Sequence, residues 1–184
     1  MDEIALAEAC ADGDYRAQKR LYQLYAPQMM GICMRYSSDV ADAEDVLQDG
    51  FITIYNHIDS FSGKGPLGGW MRRIMVNTAL QRYRASKNVK LVRLDDSEVR
   101  LQEVSDDVLS SMEADELLRK IQRLPVGFRT VFNLYAIEGY KHHEIAELLD
   151  ISEGTSKSQY SRGRSLLREM IENDNKVSER AICK

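Results

Sequence analysis

The residues with the plainest chemistry lie in the segment HHEIAELLDISEGTSKSQYSRGRSLLREM, His142 to Met170. Its two histidines raise metal binding and acid–base work first. They are adjacent, so on a helix their rings diverge by about 100° and make a poor metal pair. His57 and the cysteines Cys10, Cys33 and Cys183 are scattered and fit no zinc or disulfide pattern. No nucleophile has a base at a telling spacing. An enzyme is therefore not expected, and neither is a metal or a cofactor. What remains is hydrogen-bonding and ionic chemistry. Lys157, Arg162, Arg164 and Arg168 stand among the hydroxyls of Ser156, Ser158, Ser161 and Ser165.

The spacing of that segment predicts a helix-turn-helix. Ile145, Ala146 and Leu149 form the inner face of a first helix. Asp150-Ile151-Ser152 makes the turn, with Ile151 plugging the core. Ser152 caps the second helix, and Glu153 favours its positive end. On the second helix Ser156, Tyr160, Gly163 and Leu167 share one side and face the core. Ser158, Ser161, Arg162 and Ser165 share the other, flanked by Lys157, Arg164 and Arg168. Small residues allow close approach to base edges, Arg162 suits guanine, and the flanking cations suit phosphates. An ordinary amphipathic surface helix is the competing reading.

A second cationic stretch runs WMRRIMVNTALQRYRASKNVKLVR, Trp70 to Arg93, with no acid. On a helix spanning about 70–85, Met71, Ile74, Met75 and Thr78 share one side. Trp70, Arg73, Asn77, Gln81 and Arg84 share another. An aromatic plane, cations and amides together suit unstacked bases. The glycine-rich loop SGKGPLGG just before it is placed to close over an extruded base. Trp70 taken alone fits a core position equally well. The segment ADAEDVLQDGF differs: Asp42, Glu44, Asp45, Gln48 and Asp49 form an acidic face that repels DNA. By composition it is a solvated helix face, and any partner there would be a protein.

The elements that position these groups all read as helices. Leu21, Leu24, Tyr25, Met29, Ile32 and Cys33 recur at helical spacing, with Pro27 placed to kink that helix. Val40, Ala43, Val46, Leu47, Ile54 and Ile58 form the stripe of the next, capped by Asp39. The stretch 94–111 is acidic with little apolar periodicity, as a linker would be. The expected fold is all-α: two small helical domains, 1–93 and 112–172, joined by an acidic flexible linker, 94–111, with a frayed tail over 173–184. The chain has 184 residues, 43% hydrophobic, and a net charge of -4. No apolar run approaches the roughly 20 residues of a membrane span, and the acidic start lacks the pattern of a secretory signal. The net charge does not exclude DNA, because phosphate affinity follows local positive surface.

Taken in order, these segments resemble the extracytoplasmic-function group of bacterial sigma factors, the promoter-recognition subunits of RNA polymerase. LYQLYAPQMMGICMRYSSDVADAEDVLQDGFITIYNHIDSF and GPLGGWMRRIMVNTALQRYR are similar to region two. IQRLPVGFRTVFNLYAIEGYKHHEIAELLDISEGTSKSQYSRGRSLLRE is similar to region four. The resemblance implies that Asp45, Gln48 and Asp49 bind the clamp helices of the polymerase β′ subunit. It implies that the loop and helix start from Lys64 to Trp70 capture a flipped base of the minus-ten element. Arg73 and Asn77, joined by Gln81 and Arg84, would read and help melt that element. Thr155, Lys157, Ser158, Ser161, Arg162 and Arg164 would read the minus-thirty-five element as duplex, and the second helical group would touch the β flap. The implied partners are core polymerase, promoter DNA and an anti-sigma factor, often membrane-anchored. The implied location is the cytoplasm, on the nucleoid when bound to polymerase. Three features depart from the family pattern: Ser156 replaces a β-branched apolar residue, Gly163 replaces alanine, and the loop is unusually rich in glycine. The competing function is a stand-alone helix-turn-helix regulator of duplex operators, distinguished by tight specific binding without polymerase.

Overall fold

The structure is a computed structural model that describes the backbone of residues 2–87 and 114–182, and the side chains of 2–85 and 116–174. The chain divides into two compact units, Met1–Lys90 and Leu91–Lys184. Every regular element among the described residues is a helix. The acidic linker expected over 94–111, and the boundaries placed at 93 and 112, lie outside the described residues.

The first unit contains α1 (Glu3–Ala11), α2 (Tyr15–Tyr36), α3 (Val40–His57), a 3-10 turn (Ile58–Ser60) and α4 (Leu67–Lys87). Three aspartates start its helices. Asp2, Asp14 and Asp39 accept backbone N–H bonds from Ile4, Arg16 and Asp42 at 3.0, 2.8 and 2.9 Å. Each such cap contributes about 1 kcal/mol. Helices α2, α3 and α4 pack on one another, and α1 lies against α2. Leu21, Met29, Ile54, Leu67, Met71, Met75 and Leu80 are fully enclosed.

Two residues of the expected core stripes are on the surface. Leu24 is 51% exposed, because α2 buries the stripe of Leu21, Met29, Ile32 and Tyr36 and leaves Leu24 on its flank. Val40 opens α3 and is 52% exposed. Helix α2 runs through Pro27 without a break in its assignment. Helix α4 starts at Leu67, three residues before the expected Trp70, and so takes in Gly68 and Gly69. Burial of Leu67 and the backbone bonds from Gly69 and Trp70 to the Pro66 carbonyl offset the poor helix propensity of the two glycines.

The second unit contains α5 (Ala114–Gln122), α6 (Val126–Phe132), a π turn (Asn133–Ile137), α7 (His142–Leu149) and α8 (Glu153–Ile182). Ile121, Leu124, Phe132, Leu167 and Ile171 form its central cluster. Residues 173–182, expected as a frayed tail, continue α8. Asp174 in that extension pairs with the buried Lys120 of α5, which also meets Glu116 at 3.4 Å. That attachment links α8 beyond residue 172 to the unit.

Two glycines mark close helix contacts. A Cβ on Gly163 would lie 3.3 Å from the Phe128 Cβ and 3.4 Å from its carbonyl oxygen, so α8 approaches α6 almost backbone to side chain. A Cβ on Gly50 would lie 2.2 Å from the Met75 sulfur, at the contact of α3 with α4. Gly50→Val is therefore expected to lower the stability of the chain by about 1–3 kcal/mol, as overpacked cores do. Urea unfolding of the full chain measures it, and a wild-type midpoint would contradict this reading of the α3–α4 contact.

Candidate nucleic-acid and partner interfaces

Helix α4 separates its two faces by period. Met71, Met75, Val76, Thr78, Ala79 and Leu80 are buried, whereas Arg73, Asn77, Gln81 and Arg84 are exposed. Thr78 donates its hydroxyl to the Ile74 carbonyl at 3.0 Å, which lets a polar side chain sit inside. Trp70 is half-buried and packs on Phe61, ring centroids 5.8 Å apart. Its two expected places, core and surface, are thus both partly occupied. The loop before α4 places Lys64, Gly65 and Pro66 at the surface. Lys64, Arg73, Asn77, Gln81 and Arg84 thus all stand in solvent on one unit.

The acidic face of α3 is differently arranged. Asp45, Gln48 and Asp49 are exposed. Arg82, which periodicity alone counts among the cations of α4, is committed to this face. Its guanidinium lies 3.5 Å from Asp42, 3.2 Å from Asp45 and 3.2 Å from Asp49. Three carboxylates spaced along one helix repel one another, and one guanidinium from the next helix relieves that repulsion. Sequence reading missed this role, because Arg82 and Asp49 are 33 residues apart. The signal available was an arginine about 180° around α4 from Arg73, facing away from the outer strip. Beside the carboxylates, Tyr22, Met30, Leu47, Phe51, Ile52 and Tyr55 line an open pocket of about 530 Å³ that also includes Gln48.

In the second unit α7 and α8 form the expected helix-turn-helix. Asp150 ends α7 in the left-handed region, φ 53°, which asparagine and aspartate tolerate best after glycine. Ile145 and Leu149 are buried, while Ile151 is only half-buried, a weaker plug than expected. The Ser152 hydroxyl accepts the Thr155 N–H at 3.0 Å, the predicted cap. Thr155 also shares a hydrogen bond between hydroxyls with Ser152 at 2.8 Å, and its carbonyl accepts the Ser158 hydroxyl at 3.0 Å. Ser158 is exposed, and Ser161, Arg162, Arg164 and Ser165 are half-buried on the outer side. Lys157 pairs with Glu153 at 2.7 Å and Arg168 with Glu172 at 2.6 Å. Both pairs are surface ion pairs and contribute little to stability.

Ser156 is fully buried, 0% exposed, and its hydroxyl is 2.9 Å from the His142 Nδ1. The His142 ring stacks on Tyr135 at 4.3 Å and meets Tyr160 edge-on at 5.9 Å. Ser156 and His142 thus form a hydrogen-bonded pair that ties the first helix of the motif to the second. Among the described residues no cluster of histidine, cysteine or carboxylate could hold a metal, and no helix is long and apolar enough to cross a membrane.

Comparison with known proteins accounts for both units. Residues 21–89 match the family model for Sigma-70 region 2, and residues 114–167 match that for Sigma-70 region 4. The ECF RNA polymerase sigma factor SigW of Bacillus subtilis is 32% identical over 170 residues, covering 86% of this chain and 91% of that protein. The ECF RNA polymerase sigma-E factor of Haemophilus influenzae is 33% identical over 184 residues, covering 94% and 95%. Among solved structures, the sigma factor RpoE of Bartonella quintana in complex with the anti-sigma factor NepR is 22% identical. It covers 84% of this chain and 96% of that one, with a TM-score of 0.49. The chain belongs to the sigma-70 family, in its extracytoplasmic-function group. These are transcription initiation factors that direct RNA polymerase to promoters, not enzymes in their own right. A stand-alone operator-binding regulator would leave the region 2 match unexplained.

Burial, with Lys157 nearby, holds the His142 pKa below the ordinary imidazole range, against an opposing pull from Glu153. The neutral ring is the form the fold favours. As pH falls, the unfolded chain takes up this proton first. The stability His142 confers is therefore full above the ordinary imidazole pKa and is lost as pH falls through it towards the lower folded value. NMR titration of the full chain is expected to show the His142 ring protonating below ordinary imidazole pKa values, and a ring titrating at or above them would contradict the packing described. Ser156→Ala, which removes the ring's partner, is expected to cost about 1 kcal/mol in urea unfolding.

Proposed function

We propose that the first unit captures the minus-ten element as unstacked single strand while the second reads the minus-thirty-five element as duplex. The observation that carries this reading is the same in both units: one helix with a buried inner stripe and an outer strip of cations, amides and hydroxyls. On α4 that strip is Arg73, Asn77, Gln81 and Arg84, with Trp70 in the first turn and Lys64 in the preceding loop. Arg73 and Arg84 would hold phosphates, Asn77 and Gln81 would meet base edges, and Trp70 would stack. On α8 it is Thr155, Lys157, Ser158, Ser161, Arg162 and Arg164. There Arg162 would take a guanine edge and Lys157 and Arg164 the phosphates.

Asp45, Gln48 and Asp49 are read as the docking face for the β′ clamp helices, since their charge suits a cationic protein partner and not DNA. The second unit would meet the β flap. In this reading 1–93 is the polymerase-binding and minus-ten domain, 94–111 the linker and 112–172 the minus-thirty-five domain, whose last helix runs on to Ile182. The factor works in the cytoplasm, docks on core polymerase, places α8 on upstream duplex, captures the opened non-template strand and leaves as the transcript grows. Polymerase makes every bond. An anti-sigma factor, carried in the membrane or free, completes the partner set. Co-purification of the native chain tests it, and finding polymerase alone in both quiet and stressed cells would count against it.

Two variants, one single and one double, test the site assignments. Arg162→Ala is expected to relax specificity at one upstream base pair at a cost of about 1–3 kcal/mol, read from promoter-variant binding by the holoenzyme. Equal weakening on every promoter would make Arg162 a phosphate contact. Replacing Asp45 and Gln48 together with alanine should lower polymerase affinity in a pull-down and leave the circular dichroism unchanged. Normal affinity would remove both from the docking face.

A further inference from the structure

Helix α1 lies outside the matched region 2 segment, 21–89, yet it meets the loop 61–66 at Gly63 and the elements on either side of it. On one side of the loop, α1 packs against the 3-10 turn Ile58–Ser60. In the middle, Gly63 stands at φ +68°, and a Cβ there would lie 3.0 Å from the Ile4 Cδ1. That backbone conformation needs glycine, and the missing side chain leaves room for Ile4. At the far side, the Glu3 carboxylate accepts the N–H of Leu67, the first residue of α4, at 2.8 Å. Its other oxygen accepts the Tyr25 hydroxyl at 2.8 Å, and the Tyr25 ring covers Gly68.

The first N–H groups of a helix have no partner within the helix, and its positive end favours an anion. Helix α4 has loop residues before it and takes its anion from a residue 64 positions away. The bonds from Leu67 and then Tyr25 hold the Glu3 carboxyl below its ordinary pKa, so it stays charged. Leu67 is fully buried, so a shift at this N–H moves the end of the loop and the first turn of α4 together.

We infer that Glu3 is a positioning residue for base capture: from α1 it fixes the loop 61–66 and the start of α4, and so sets which base the loop accepts. This inference rests on the reading of that loop as the minus-ten capture site. Its chemistry is indirect, since Glu3 acts through Leu67 and Tyr25 and needs no contact with DNA.

The test uses full-length chain with core polymerase and labelled single-stranded DNA carrying the minus-ten element. Each of the four bases is placed in turn at the captured position. Wild type should prefer one base. Glu3→Ala should lower that preference about fivefold, with affinity for core polymerase and for upstream duplex unchanged. Glu3→Gln keeps an oxygen for Leu67 and should restore most of the preference, which a general loss of folding would not allow. Glu8→Ala, exposed on the same helix, should behave as wild type. Wild-type preference in Glu3→Ala would overturn the inference; should that variant not fold, a Glu3→Gln preference equal to that of wild type in every base and salt condition, with its Leu67 amide exchanging freely, would do so. A wild-type holoenzyme indifferent to all four bases would overturn the reading of the loop itself, and the role of Glu3 with it.

Discussion

An α-helix turns once every 3.6 residues, so a single helix can be gripped along one stripe and remain open along another. In the first unit the grip on α4 is the burial of Leu67, Met71, Met75 and Leu80. Each such side chain contributes about 1.5–3 kcal/mol when fully enclosed. The outer residues Arg73, Asn77, Gln81 and Arg84 are exposed, so packing of the core does not require them to be apolar. In the second unit Leu167 and Ile171 grip α8, and the hydrogen-bonded Ser156 and the bare backbone of Gly163 complete its inner face. Removing side-chain bulk at 163 brings α8 against α6. Supplying a hydroxyl at 156 ties α8 to α7. Both residues thus act on how the outer strip is held, and neither lies on the strip.

The acidic total of the chain, 29 carboxylates against 25 lysines and arginines, does not describe the surface a partner meets, because several cations are paired within their own unit. Arg82, Lys157, Arg168 and Lys120 are each paired with carboxylates of their own unit. The first unit carries an acidic face on α3 and a cationic strip on α4, separated by the Arg82 cluster. Two partners of opposite charge can therefore approach one small unit at different faces, and long-range fields steer each to its own. The surface pairs among them, those of Arg82, Lys157 and Arg168, weaken with salt and stabilise the fold little. Their effect is on which charges a partner meets.

Much of this was legible in the sequence because it is local. The caps at Asp39 and Ser152, the stripes of α3 and α4, and the motif from His142 onwards follow from periodicity and a few side-chain types. What was not legible is nonlocal. Gly68 and Gly69 read as loop because nothing nearby announces that Leu67 is buried and that Glu3 holds its N–H. Arg82 read as one more cation because its three partners lie on another helix. Ser156 read as a thin core residue because its partner, His142, stands on the preceding helix. Residues 173–182 read as tail by composition, whereas Asp174 meets Lys120 across the unit. In each case a residue's local propensity was overridden by one contact distant in sequence. Leu24 and Val40 failed in the opposite direction: apolar spacing was right, but no neighbouring element covers them.

The most direct test of the account is transcription in vitro. Purified chain is added to bacterial core polymerase with fragments of genomic DNA, and the transcript starts are sequenced. The account predicts starts that share two spaced upstream elements and vanish when the chain is omitted. An absence of specific starts, with core and template shown competent using another sigma factor, would contradict it.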